Sequence, residues 1–240
     1  MNALILAAGF GTRMYPFTEN TPKSLIKINN KPVLDFMIEN LEKVKDIKNI
    51  YLITNNKFYI DFLEWKKGRK IKIINNGIND KKDKKGAIAD LKSALKIMDK
   101  DDLFIFAADN LFDFNLEEMM NLSKEKKSSV VALKIIKDIE KVKKFNHIFL
   151  DKENKIIFFE EKPQEPRSNI CSTACFYVTK QDLEKIENNN FENADNIGEI
   201  VGFLQKKSII YGRVFDEFWC DIGSIEDINK AENYFHSAWK

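Results

Sequence analysis

The chain has 240 residues, 44% of them hydrophobic, 32% charged and 12% aromatic, a globular composition with too much apolar material for intrinsic disorder. Its 39 Lys+Arg against 37 Asp+Glu leave a net charge of +2, without the concentrated basic excess of a nucleic-acid binder. No apolar run reaches the ~18 residues of a membrane span, no signal-peptide pattern opens the chain and three cysteines are too few for a disulfide scaffold, so the expectation is a cytoplasmic protein with no nucleic-acid and no membrane partner.

Residues 2–8, NALILAA, are an apolar run that stops at a glycine pair, as a strand buried on both faces does. Lys31-Pro32 then opens a stretch with apolar residues at Val33, Phe36, Met37, Leu41 and Val44, helical spacing with proline near the first turn. Residues 49–54 read as a strand, 58–65 as a short helix, 70–74 as a strand and 87–98 as an amphipathic helix. Residues 102–107 are a further buried strand that runs into Ala108-Asp109-Asn110. This alternation predicts an α/β protein with a mostly parallel central sheet and right-handed crossovers.

In the second half, residues 129–136, 146–150, 155–160, 173–178 and 209–215 read as strands and 180–187, 196–205 and 224–234 as helices. They are expected to extend the first sheet as a mixed addition, because no Pro/Gly/Ser linker and no internal repeat separates the halves. The expectation is one domain over residues 1–240, with a half at 1–135 and a half at 136–240. The charged segment 80–85, DKKDKK, reads as a solvated loop. Together with Asn75 and Asn76 it could instead supply contacts to a ligand or a lid.

The strongest local signal is residues 6–23, LAAGFGTRMYPFTENTPK. It follows a predicted strand, where α/β proteins place ligands. Gly9 and Gly11 permit close backbone approach and positive φ, and N–H groups freed in such a turn can cradle phosphates. Arg13 adds a planar cationic fork and Lys23 a point charge. Arginine is scarce, present only at 13, 69, 167 and 213 in a lysine- and asparagine-rich chain; an Arg kept against that drift is a candidate for a required phosphate or carboxylate grip. The segment is neither GxGxxG nor a P-loop.

This segment resembles the nucleotidyltransferase superfamily that makes nucleoside-diphosphate sugars. That family's signature looks like LAAG-x-GTR-x-x-P-x-T-x-x-x-PK, filled here by Leu6, Ala7, Ala8, Gly9, Gly11, Thr12, Arg13, Pro16, Thr18, Pro22 and Lys23. Further likenesses follow in order: Gly86-Ala87-Ile88-Ala89-Asp90, Asp109-Asn110 with Ala108 in place of glycine, Glu161-Lys162-Pro163, and residues 218–224, FWCDIGS. The resemblance implies a Rossmann-like three-layer sandwich with a mixed, acceptor-binding extension. Residues 1–135 would bind nucleotide, and residues 136–240 would bind the acceptor and complete a metal site.

The implied reaction is attack of an acceptor's phosphate oxygen on the α-phosphorus of a nucleoside triphosphate, with pyrophosphate leaving. Two anions must meet, so charge neutralisation and alignment dominate. Mg²⁺ is the implied cofactor, wanting one or two carboxylates, and Asp109 and Asp221 are the implied ligands. By the same resemblance Arg13 and Lys23 are catalytic, on the β/γ-phosphates and near the α-phosphate. Leu6, Ala7, Ala8, Gly9, Gly11, Thr12, Asn76, Gly86 and Ala87 would bind nucleotide. Asn110, Asn146, Glu161, Lys162 and Thr173 would bind the acceptor, Lys162 at its phosphate. His147 and His236 are too few for a zinc site. Cys171 and Cys175 read as small buried thiols.

In the acceptor half the sequence departs from the sugar-1-phosphate pattern twice. Phe145-Asn146 stands where that branch has an aromatic-Gly pair, and Thr173-Ala174 where it has Thr-Gly. A side chain where backbone should touch a ring reshapes a pocket. The favoured expectation is therefore a CTP-dependent cytidylyltransferase acting on a small non-sugar acceptor such as phosphoglutamine or phosphocholine, in capsule or surface-polysaccharide modification. The alternatives are a sugar-1-phosphate thymidylyl-, uridylyl- or guanylyltransferase and a non-catalytic regulatory paralogue. Strand edges in the second half would allow a homodimer.

Overall fold

The computed structural model describes residues 1–192 and 195–238, with side chains described to residue 236. In chain order the elements are β1 (Asn2–Leu6), β2 (Lys27–Ile28), β3 (Lys31–Pro32), α1 (Val33–Glu42), β4 (Asn49–Thr54), α2 (Tyr59–Trp65), β5 (Ile71–Asn75), α3 (Ala87–Leu95), β6 (Leu103–Ala107), β7 (Asn110–Phe112) and α4 (Leu116–Lys126). There follow β8 (Ser129–Ile135), α5 (Ile139–Val142), β9 (Asn146–Leu150), β10 (Ile156–Glu161), β11 (Ile170–Val178), α6 (Lys180–Asn188), α7 (Glu199–Lys207), β12 (Ile210–Phe215), β13 (Trp219–Asp221) and α8 (Ile225–Ala238).

Seven strands form one sheet in the order β12-β8-β11-β6-β1-β4-β5. The pairs β1–β4, β1–β6, β4–β5 and β12–β8 are parallel, while β11 runs antiparallel to both β6 and β8. The apolar alternation of β1 divides the core. Ala3 and Ile5 join one cluster with Leu34 and Met37 of α1, Phe62 of α2 and Met119 of α4. Leu4 joins the other with Ile88 and Leu91 of α3, Ile186 of α6 and Ile200 and Leu204 of α7. Helices thus cover both faces, the three-layer α/β arrangement that the family resemblance implies.

A third cluster packs Phe235 and Ala231 of α8 against Ile28, Val33, Phe36, Leu111 and Ile222. It ties the chain's last helix to the same end of the sheet at which β1 and β6 finish. There β1 sits between β4, reached by the first crossover, and β6, reached on the other side; crevices at such reversals of strand order bind ligands.

The structure corrects several boundaries. Helix α7 starts at Glu199 and not at 196, because the Asn196 side chain closes a turn on the Gly198 N–H (2.9 Å). The helix at 116–126 was not foreseen; its exposed face is rich in Glu and Lys, and Asn115 caps it by accepting from Glu117 N (3.0 Å). Strands β9 and β10 do not extend the main sheet but pair only with each other. The cause lies in β11, whose pairing with β8 is interrupted between Ser172 and Phe176. Ala174 there has φ 54°, and the Ser172 N–H is taken by the Asn146 side chain at 2.8 Å. Cys171 and Cys175 are buried free thiols as expected, and Cys220 is a third; burial pushes the Cys171 and Cys220 thiols up to about 12.

Candidate active site

The chain after β1 turns at Gly11, whose φ of 64° lies in the left-handed region. The Thr18 hydroxyl donates to the Gly11 carbonyl at 2.7 Å, and a Cβ on Gly11 would stand 2.9 Å from the Thr18 Cβ. Glycine and threonine seven residues apart are therefore one device, a tight turn pinned by a buried hydroxyl. The N–H groups of Gly9, Phe10 and Gly11 take no acceptor among the described residues. Three open backbone donors beside a guanidinium suit an anion.

That turn forms one wall of a cavity of about 390 Å³. The cavity brings together the expected nucleotide-binding residues Leu6, Ala7, Ala8, Gly9, Gly11, Thr12, Asn76, Gly86 and Ala87 with Arg13, Lys23 and Asp109. Asn76 is held by donating to Asp90 Oδ1 (2.8 Å) and accepting from Ile78 N (2.9 Å); burial raises the Asp90 pKa. The four arginines divide cleanly. Arg69 pairs with Asp35 at 3.0 Å, Arg213 with Glu118 at 2.9 Å, and Arg167 lies over Phe149 and Phe158. Arg13 alone lines the cavity, with no carboxylate partner among the described residues.

Asp109 and Asp221, far apart in sequence, meet through a ladder too short to see in the sequence. Strand β13 pairs antiparallel with β7, Asp221 opposite Asn110 and Trp219 opposite Phe112, and Ile222 N donates to the Asp109 carbonyl at 2.9 Å. Lys23 sits between the two acids, its Nζ 2.7 Å from Asp109 Oδ2 and 3.7 Å from Asp221 Oδ1. Burial disfavours the ionised form of both acids, but the Lys23 ammonium and its hydrogen bond outweigh it at Asp109, holding that carboxyl below its ordinary value. Burial also opposes the Lys23 charge, and the two acids more than offset it, so the Lys23 pKa is raised. Asp221 is left with the deficit: burial first and the Asp109 charge second push it up to about 7.

Asp221 Oδ1 is buried without a hydrogen-bond partner, and no third His, Cys, Asp or Glu among the described residues completes a protein cage with the pair. An orphaned carboxylate oxygen facing a second carboxylate fits Mg²⁺, which takes few protein ligands and keeps water and phosphate oxygens for the rest.

The acceptor-side residues lie apart from this cavity. Asn146 is buried, with its oxygen accepting from Ser172 N. Asn196 donates to Glu161, whose carboxyl is pushed up to about 7, first by burial and then by Glu199, against the pull of Lys162. Lys162 is exposed at the end of β10 with φ 47°. Asn110 is buried, its amide donating to Asp109 Oδ1 (3.0 Å) and accepting from Trp219 Nε1 (2.7 Å), which braces the acid. The Thr173 hydroxyl likewise turns into the sheet, donating to the Ala132 carbonyl at 3.1 Å.

The segment 80–85 is not simply a solvated loop. Lys81, Lys84 and Lys85 line the cavity, with Lys81 Nζ donating to Thr12 Oγ1 (3.0 Å) and Lys84 paired with Asp195 at 2.7 Å. The run of lysines was visible in the sequence; its direction was not.

A glycine turn at the strand-order reversal of a mostly parallel sheet is the place where α/β proteins bind phosphate-bearing ligands. The chain belongs to the nucleotidyl transferase family, which matches it over residues 2–237. It is 33% identical over 98% of its length to a bifunctional protein GlmU of Methanocaldococcus jannaschii, covering 54% of that protein. It is 31% identical over 96% to a bifunctional sugar-1-phosphate nucleotidylyltransferase/acetyltransferase of Sulfurisphaera tokodaii, covering 55%. The chain thus spans about half the length of these relatives. Among solved structures, a UDP-glucose pyrophosphorylase complexed with UDP-glucose superposes with a TM-score of 0.81 at 20% identity, over 99% of this chain and 98% of the other. A Bacillus anthracis protein solved with sucrose gives 0.84 at 22%, over 98% and 94%. These two likenesses concern the fold. Among the described residues no helix is long and apolar enough to cross a membrane.

Proposed function

We propose that the chain is a Mg²⁺-dependent nucleotidyltransferase that moves a nucleotidyl group from a nucleoside triphosphate to the phosphate of a sugar 1-phosphate. The observation that supports it most is the Lys23–Asp109–Asp221 cluster, whose Lys23 and Asp109 line the same cavity as the open backbone donors and Arg13. The choice of sugar phosphates over the CTP and non-sugar expectation rests on relatives described as a sugar-1-phosphate nucleotidylyltransferase and a mannose-1-phosphate guanylyltransferase.

In this mechanism the Gly9–Gly11 donors and Arg13 hold the β- and γ-phosphates. Mg²⁺, held by Asp109 and Asp221, would supply positive charge to the phosphates. Lys23 lies within reach of that charge and stabilises the crowding of negative oxygens at the α-phosphorus. The acceptor's phosphate oxygen forms the new P–O bond while the bond to the β-phosphate oxygen breaks. Its electron pair leaves with pyrophosphate. A phosphate monoester is ionised near neutral pH, so no general base is required.

A second reading, CMP transfer to a non-sugar phosphate, draws on Asn146 and Ala174. Ala174 keeps the left-handed turn that glycine adopts without strain, and Asn146 is anchored to β11. Pyrophosphate release with Mg²⁺ decides between the readings, crossing CTP, UTP, dTTP, GTP and ATP with hexose 1-phosphates, phosphocholine and phosphoglutamine. A hexose 1-phosphate signal supports the first reading and CTP with a non-sugar acceptor the second. No release with any pair, and no change on Arg13→Ala in nucleotide binding, would overturn both.

A further inference from the structure

The loop between β5 and α3 is held in place at both ends. Asp80 caps its short helical turn, accepting from Lys82 N at 2.9 Å, and Lys84 is paired with Asp195, another residue lining the cavity, at 2.7 Å. Between these anchors Lys81 reaches the glycine turn and donates to Thr12 Oγ1 at 3.0 Å. Its neighbour Lys82 does not line the cavity and faces Asp80, 3.9 Å away. The cationic side chains of the cavity are therefore unequally committed. Lys23 is engaged by Asp109 and Lys84 by Asp195, and Lys85 has no ion pair or hydrogen bond among the described residues; Lys81 is the lysine of this loop that reaches the glycine turn, touching a neutral hydroxyl next to the open N–H groups and Arg13.

We propose that Lys81 is a substrate-positioning residue contributed by this lysine-rich loop: its ammonium grips the terminal phosphates of the bound triphosphate, and then the leaving pyrophosphate, over the Gly11–Arg13 turn. The inference rests on the nucleotidyltransferase reading above. A terminal phosphate beside Thr12 offers Lys81 a charged acceptor in place of the hydroxyl, and charge-assisted bonds are about twice as strong as neutral ones. Lys84 cannot do the same without giving up Asp195.

The test is calorimetric titration of wild type, Lys81→Met, Lys81→Arg and Lys82→Met with CTP, UTP, dTTP, GTP and ATP and with the matching monophosphates, at low and high salt. Lys81→Met is expected to weaken the preferred triphosphate about tenfold while leaving the monophosphate unchanged. Lys81→Arg restores most of the affinity, Lys82→Met behaves as wild type, and the deficit shrinks at high salt. Equal losses for tri- and monophosphate would mark a structural role and overturn the inference. So would a Lys81→Met protein that matches Lys82→Met. Wild type that binds none of the triphosphates would overturn the nucleotidyltransferase reading itself, a distinct result.

Discussion

Asp221→Asn should make the metal-free protein more stable above neutral pH while removing most of its proposed activity. The Asp221 carboxyl is raised from an ordinary value of 3.8 to about 7, by burial first and then by the Asp109 charge. A folded value above the unfolded one means that the native state holds the proton more tightly. The resulting stability is complete below about pH 4 and is lost as pH climbs through about 7. Asparagine mimics the protonated acid in shape and charge, so the variant keeps what wild type loses. Three pKa units correspond to about 4 kcal/mol at full strength. The Asp221 side chain is 33% exposed, and solvent screening brings the expected gain to about 1–3 kcal/mol. That is about 3–10 °C in Tm for a chain of this size. The assay is thermal unfolding in EDTA from pH 4 to pH 8.5. The gain should be absent at pH 4 and largest above pH 7.5, and turnover with Mg²⁺ should fall about 10²-fold or more. Adding Mg²⁺ with nucleotide should raise the Tm of wild type more than that of the variant. An Asp221→Asn protein no more stable than wild type at pH 8, or more stable by the same amount at every pH, would refute the electrostatic account.

Lys23→Met removes the cation 2.7 Å from Asp109 and should cost about 3 kcal/mol at pH 7 in urea unfolding, with the loss shrinking at low pH as Asp109 protonates; equal stability at pH 7 would mean that the pair carries no net energy. Gly11→Ala forces a Cβ into the left-handed region, 2.9 Å from Thr18, and should cost at least ~1–2 kcal/mol together with most triphosphate affinity; wild-type titration curves would contradict the pinned-turn argument. Ala174→Gly relieves φ 54° and should raise the urea midpoint by the equivalent of about 1 kcal/mol, whereas a lowered midpoint would show that the Ala174 side chain's packing outweighs its strain. Strand β11 is inserted between β6 and β8, so unfolding followed by tryptophan fluorescence and by far-UV circular dichroism should give one coincident transition; separate transitions would divide the chain into independently folding halves.

The parts of the structure that the sequence disclosed are those governed by local rules. The apolar runs of β1, β4 and β6 and the amphipathic spacing of α1 are local patterns, and they survive in the fold within a residue or two. The glycine turn is also local, since Gly11 and Thr18 are seven residues apart and bind each other directly. What stayed hidden depends on contacts across the chain. The β7–β13 ladder has three residues on each strand, too few for any periodicity, yet it brings Asp221 to Asp109. Asn110 could be placed beside the site, but its use as a brace required knowing that Trp219 would arrive 109 residues later. The departure of β9 and β10 from the main sheet follows from the turn at Ala174, where alanine takes a conformation that its residue type does not advertise.

The charge arrangement is poor for stability and suited to chemistry, and the two facts have one cause. Two carboxylates share one ammonium in a partly buried space, so one of them, Asp221, carries an orphaned oxygen and a raised pKa. A core that served only the fold would replace the second acid with a neutral side chain at a gain in stability. The ladder instead holds Asp221 in place against that repulsion, and Asn110, itself fixed by Trp219, braces Asp109 opposite it. The favourable partner for such a pair is an added positive charge, and the adjoining cavity presents open N–H donors and Arg13 to an added negative one. A divalent cation carrying a polyphosphate satisfies both demands at once. Under the proposed function the site would favour the two ligands together over either alone, and its deficit in the free protein would become binding energy when both arrive.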